Sequence, residues 1–212
     1  MKKFLASLLL VAVMVSSVFA IDIAVGGDLD FTHFWNTTKT KGESDSKEKL
    51  SSNFIGFNIF GDFQYAIVGL GANFSVGGVT QKSSSFSLTD KKTSLGNFNL
   101  KLLGKYPFDV GIAKLYPMAG FQFSFNTYLK HDGEDVKEHM SDEMKKDLNA
   151  YFFILGFGAD ISVADNVFVR VTPNFGFKLN KSSGYKDMKE ANDKYREQGY
   201  MFNLGLGVGY RF

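Results

Sequence analysis

The chain has 212 residues, 24 Lys or Arg against 22 Asp or Glu, and no cysteine, a length that suits one domain. The near balance of charge argues against a nucleic-acid partner, which a basic excess would signal, and the missing thiols exclude a disulfide framework or a thiolate metal site. With 22 Gly, 23 Phe and only three Pro, the composition fits a glycine-punctuated, aromatic-rich β fold.

The chain opens on Lys2 and Lys3, an apolar run from Phe4 to Val15 and a small-residue exit at Val18-Phe19-Ala20. This is the layout of a secretory signal peptide, with cleavage expected after Ala20. The run falls short of the ~20 residues that a spanning helix needs. Removal of residues 1–20 takes two lysines and leaves 22 basic against 22 acidic residues in the exported domain, 21–212.

Alternation of apolar and polar residues then predicts eight strands. They cover Ile21 to Trp35, Asn53 to Asp62, Tyr65 to Gly77, Ser94 to Tyr106, Leu115 to Leu129, Tyr151 to Val163, Val167 to Leu179, and Tyr200 to Phe212. Each is long enough for the ~9 to 11 residues that cross a bilayer at a tilt. The links alternate in length. Short turns are expected around Phe63, at Pro107 to Lys114 and at Ala164 to Asn166, and long polar links at Asn36 to Ser52, Gly78 to Thr93, Lys130 to Ala150 and Asn180 to Gly199. Short periplasmic turns and long external loops are the pattern of outer-membrane barrels. The predicted fold class is all-β, an eight-stranded antiparallel transmembrane β-barrel of up-and-down topology with both termini in the periplasm. A soluble lipocalin-like barrel would leave an apolar band on all eight strands unexplained.

Charge follows the same parity. The face carrying Ile55, Phe57 and Ile59, or Phe121, Phe123 and Phe125, has no Asp, Glu, Lys or Arg in any predicted strand, whereas the other face holds Asp22, Asp28, Asp30, Lys101, Lys105, Asp160, Arg170, Lys178 and Arg211. A Lys or Arg facing lipid at the midplane costs roughly 2–4 kcal/mol, so the charged face is predicted to be the lumen. Trp35, Tyr106, Tyr151, Tyr200 and Tyr210 fall near strand ends on the lipid parity, as interfacial girdles require. Tyr65, Tyr116 and Tyr128 fall on the luminal parity. Pro173 in mid-strand predicts a bulge or irregular pairing.

The last strand alternates Tyr200, Phe202, Leu204, Leu206, Val208, Tyr210 and Phe212 with small or polar residues and ends the chain on an aromatic. With the leader, the strand count and the loop asymmetry, this resembles the small eight-stranded outer-membrane proteins of the OmpA and OmpX type, barrel domain only. The resemblance implies that Leu204, Val208, Tyr210 and Phe212 form a signal read by the barrel-assembly machinery, beside their contact with outer-membrane lipid. No peptidoglycan-binding domain is expected after the barrel.

The tight turn at Ala164 to Asn166 sets Asp160 opposite Arg170 on the luminal side, and opposed charges across strands attract. With Asp28, Asp30, Lys101 and Lys105 they are expected to form a luminal polar network. Glycines on the inward parity, Gly26, Gly56, Gly69, Gly71, Gly156, Gly158, Gly205 and Gly207, leave room for water-filled pockets. His33 lies near the outer end of the first strand, and His131 and His139 in the third long link. None sits at a spacing from a serine that suggests catalysis, so no catalytic, metal or cofactor residue is assigned and the chain is not expected to be an enzyme. Val136, Met140, Met144 and Leu148 recur every four residues and predict an apolar stripe on a short loop helix. The expected function is an integral outer-membrane protein with a structural or surface-interaction role through its external loops, where a ligand or surface partner would bind. The alternatives are a narrow conduit for small solutes and, behind it, a lipid-modifying enzyme.

Overall fold

The computed structural model describes residues 22–40, 46–83 and 87–212. The predicted signal peptide, 1–20, lies outside them. Eight long strands form the wall: β1 (Ile23–Thr40), β2 (Ser46–Phe63), β3 (Ala66–Lys82), β4 (Thr93–Lys105), β5 (Ala113–His131), β6 (Ala150–Ser162), β7 (Val167–Lys178) and β8 (Arg196–Arg211). Each pairs antiparallel with its neighbours in sequence, and β8 pairs with β1 from Ala24↔Arg211 to Lys39↔Arg196. The ring is therefore closed and leaves no edge in the wall, which satisfies every strand within a bilayer. The Phe212 amide donates to the Ile23 carbonyl at 2.9 Å, which brings the described ends together at the short-turn end.

The outer surface is apolar. Leu29, Ile55, Phe57, Ile59, Leu206 and Val208 are all more than half exposed, an arrangement that is stable when lipid covers it. Trp35, Phe175, Phe177 and Tyr200 stack on one another toward the loop end. Tyr65, Tyr106 and Phe108 do so at the turn end, with Tyr210 against Phe212.

Several boundaries and faces differ from the sequence expectation. β1 and β2 have 18 residues each, about 60 Å at ~3.3 Å per residue, and continue through most of the expected first loop. Their outer ends pair Thr37↔Lys49, Thr38↔Glu48 and Lys39↔Lys47. Backbone pairing needs no apolar alternation, so these polar extensions, with charge on both faces, read as loop. The expected turn at Pro107 to Lys114 contains a small hairpin in which Phe108–Val110 pairs with Ala113–Leu115 around Gly111, at φ +67°.

Two of the three tyrosines placed in the lumen lie outside it. Tyr65 belongs to the β2–β3 turn, after Gln64 at φ 55°, is 55 % exposed and packs on Tyr106. On β5 the register shifts opposite Gly96/Asn97, so that Gly96 pairs with Tyr128 and Asn97 with Asn126. The skipped Thr127 reverses the parity. The Tyr128 ring lies over Gly96 on the outer face, and Leu129 turns inward to join Leu95 on the cavity wall. Tyr116 is fully buried in the lumen.

At Pro173 the β6–β7 ladder omits Thr172 and Pro173 yet resumes in unchanged register, from Val171↔Ala159 to Asn174↔Gly156. The lost amide interrupts pairing without inserting a residue, so there is a gap and no bulge. The expected stripe Val136-Met140-Met144-Leu148 is also divided. A 3-10 turn at Lys137–His139 precedes α1 (Asp142–Asp147), because Ser141 caps α1 by accepting the Met144 amide at 3.3 Å. Leu148 then faces the barrel mouth while Met144 is exposed. The fourth link forms α2 (Tyr185–Ala191).

Candidate functional site

The lumen has two parts of different character. At the turn end it is solid. Arg170 on β7 donates from Nε and Nη2 to both oxygens of Asp160 on β6, each at 2.7 Å, and from Nη2 also to Asp62 on β2. Lys105 donates to Asp62 at 2.6 Å, and the Tyr116 hydroxyl to Asp160 at 3.0 Å. The Arg170 guanidinium lies 4.2 Å from the Phe60 ring centroid and 5.1 Å from that of Phe168. Arg170, Asp160, Phe168 and Tyr116 are at most 1 % exposed, so packed side chains occupy this level of the lumen. Arg211 and Lys114 extend the cluster to Asp22 at the turn end.

A second cluster sits higher. Lys101 on β4 donates to Asp30 at 2.5 Å, and the Asn58 amide donates to Asp28 at 2.9 Å and to Asp30. A void of only about 30 Å³, lined by Asp28, Lys101, Arg170 and Thr172 among others, separates the two clusters. Among the predicted network residues, Arg170, Asp160 and Lys105 thus meet in one group and Asp28, Asp30 and Lys101 in another. Asp62 and Tyr116 join the first group, and Asn58 the second, without having been singled out. Asp62 was legible as the last even residue of its strand, on the charged parity.

Three of the inward glycines are filled by neighbouring side chains, whereas Gly69 lines the void of about 30 Å³. A methyl group added at Gly71 would sit within bonding distance of the Asn58 side chain, one at Gly158 would strike the Tyr116 ring, and one at Gly26 the Phe60 ring. These are register partners or near partners: Asn58↔Gly71, Tyr116↔Gly158, Gly26↔Phe60. Each of these three glycines makes the room into which a large neighbour lies, so alternating small and large residues fill this part of an eight-stranded interior.

The outer half is different. A cavity of about 320 Å³ lies above Lys101, floored by Thr32, Asn73, Asn99, Gln122 and Ser124 and walled by Phe34, Phe54, Leu95, Leu129, Phe152 and Met201. Asp147 and Leu148, at the end of α1, reach over it. The Asp147 carboxylate accepts the Ser183 amide at 2.9 Å and hydroxyl at 2.7 Å, which latches the third loop to the fourth. Below that latch, Glu197 accepts from the Ser182 hydroxyl at 2.7 Å and faces Lys178 at 3.6 Å. Burial pushes the Glu197 carboxyl up, but the Ser182 hydroxyl and amide, with Lys178, hold it net below its ordinary value.

His33 and His131 lie apart, each in its own set of contacts. His33 meets Asn53 at 2.7 Å on the wall. His131 Nδ1 faces both Thr93 (3.0 Å) and Asp90 (3.3 Å), and Thr93 gives its hydroxyl proton to Asp90 at 2.5 Å. One ring nitrogen serving both partners cannot relay a proton from hydroxyl to carboxylate. The Thr93 hydrogen bond, foremost, holds the exposed Asp90 carboxyl below its ordinary value. Among the described residues no group of three or more His, Asp or Glu is placed to hold a metal ion.

Leu204, Val208, Tyr210 and Phe212 share the outer face of β8. The Phe212 ring is 76 % exposed at its turn end, beside Tyr210.

No family model matches the sequence, and no curated protein matches it. Solved structures do. The chain is similar to the outer membrane protease OmpT from Escherichia coli at 12 % identity, with 90 % of this chain and 97 % of that one covered and a TM-score of 0.47. A major outer membrane protein from Thermus thermophilus aligns at 13 % identity over 87 % and 99 %, with a TM-score of 0.45. The N-terminal β-barrel domain of Pseudomonas aeruginosa OprF aligns at 15 % identity over 85 % and 97 %, with a TM-score of 0.40. On its own pairing, with a closed ring of eight strands, an apolar belt and aromatic girdles at both ends, this chain is a small up-and-down β-barrel of the outer-membrane type.

Proposed function

We propose that the protein is exported with cleavage after Ala20, is inserted in the outer membrane, and works as a surface-facing barrel whose external loops and outer mouth meet a ligand or partner. The observation that carries this reading is the inner lumen. A barrel whose turn-end half is occupied by Arg170, Asp62, Asp160, Lys105 and Tyr116, all buried, offers no route to the periplasm. Its outer end, by contrast, carries a cavity and two loops latched over it. The chain is then an anchor and receptor surface, with no chemistry of its own. The contact pattern at His131 supports the non-enzymatic reading.

Insertion would be guided by Leu204, Val208, Tyr210 and Phe212, displayed together on the last strand for the assembly machinery and afterwards in contact with lipid. Planar-bilayer recording of the refolded protein tests the main reading. No discrete conductance is expected. Reproducible unitary steps that change when Lys101 or Arg170 is neutralised would favour the conduit instead.

A further inference from the structure

The outer cavity combines features that specify a ligand chemistry, on the reading that the barrel is closed below it. Its floor is polar but uncharged. The two charged groups at its rim are already engaged, Asp147 by Ser183 and Lys178 by Glu197, so an ionic ligand would lose hydration and find no counter-charge, which is costly. The walls are aromatic and aliphatic and suit an apolar body, and the volume of about 320 Å³ lies in the range of small-molecule sites.

The floor then sets the polar end. The Gln122 amide donates to Ser124 Oγ at 3.1 Å, and the Ser124 hydroxyl donates to Asn99 Oδ1 at 2.6 Å. This short chain leaves Gln122 Oε1, an acceptor, and Asn99 Nδ2, a donor, buried and without a partner, and the same cavity holds two further unpartnered acceptors, Asn36 Oδ1 and Asn73 Oδ1. Turning both amides and reversing the hydroxyl leaves one donor and one acceptor again, so the result does not depend on how the amides are oriented. Gln122 and Asn99 are 2 % and 1 % exposed and both line the cavity. Buried polar groups of this kind favour a ligand that completes them and reject one that cannot, which is a strong source of selectivity.

We infer that the outer half of the lumen is a binding site for an uncharged small molecule with an apolar, ring-sized body and a carboxamide-like edge, whose N–H and carbonyl complete the unpartnered acceptor and donor of Gln122 and Asn99. The ligand lies beneath α1 and is held by the Asp147–Ser183 latch.

The test uses the full exported chain in lipid bilayer discs, titrated with benzamide by saturation-transfer NMR. Benzoate and acetophenone, which lack the N–H donor, serve as controls. The expected result is saturable benzamide binding at least tenfold tighter than either control. Gln122→Leu should weaken benzamide at least fivefold without weakening acetophenone to the same extent. Leu95→Trp, which fills the cavity from its wall and leaves Gln122, Ser124 and Asn99 intact, should abolish binding; circular dichroism confirms that each variant is folded. Equal binding of the three probes, no saturable benzamide signal, or unchanged binding in a folded Leu95→Trp variant would overturn the assignment. Bilayer conductance separates this from the reading beneath it, since a closed barrel that fails to bind benzamide loses only the ligand site.

Discussion

Replacing Arg170 with Met tests the central claim about the lumen. The side chain is 1 % exposed and binds two carboxylates that are themselves buried, Asp62 at 3 % and Asp160 at 1 %. After the substitution Asp62 keeps Lys105 at 2.6 Å, but Asp160 keeps only the Tyr116 hydroxyl at 3.0 Å and Arg211 at 3.8 Å. One carboxylate is thus stranded rather than two. Breaking a buried ion pair costs about 3–5 kcal/mol, and the surviving Lys105 contact places this case near the lower end, about 3 kcal/mol. Methionine fills most of the volume, so the loss is chiefly electrostatic. Equilibrium urea unfolding in lipid vesicles, followed by tryptophan fluorescence of Trp35, reads the difference. Converting the stranded acid as well, in Asp160→Asn/Arg170→Met, should recover at least half of it. A single-variant loss below about 1 kcal/mol, or a double variant no better than the single one, would refute the account of the plug.

Gly71→Ala forces the Asn58 side chain off its bonds to Asp28 and Asp30 and should destabilise the barrel by about 1–3 kcal/mol. Gly61→Ala, which meets only the outward Phe63 ring at 3.3 Å, should be near neutral, and the same unfolding assay compares them. On the lipid face, Phe57→Lys replaces a side chain that is 54 % exposed and should cost roughly 2–4 kcal/mol in vesicles; no loss would contradict lipid contact there. Because the folded Glu197 carboxyl titrates below its ordinary value, the stability its contacts with Ser182 and Lys178 supply is fully present above that ordinary value and is lost as pH falls through the folded one. Hydrogen-exchange protection over 178–197, taken relative to the intrinsic rate at each pH, should therefore fall as the solution is acidified through that carboxyl's titration, and Glu197→Gln should remove that pH dependence.

What the sequence by itself determined is the membrane-crossing part. A side-chain period of two with charge on one parity is a local property, and lipid on one side enforces it residue by residue, so Phe57, Leu206 and Val208 could be assigned outward without coordinates. Strand number and the side of the termini follow from the same pattern. The tertiary structure alone decided what depends on neighbours distant in sequence. Closure through β1 and β8 brings Asp62 to Arg170, 108 positions away, and no local signal encodes that distance. A single skipped residue, Thr127, turns Tyr128 out to the lipid and Leu129 into the cavity, which alternation read along one strand cannot foresee. Gly71, Gly158 and Gly26 read as empty space because their partners lie on other strands; only the register shows that Asn58, Tyr116 and Phe60 fill them. The outer cavity exists for the same reason in reverse, since Gln122, Ser124 and Asn99 sit on two strands whose pairing, and not their spacing in the chain, brings their hydrogen-bonded chain to its floor.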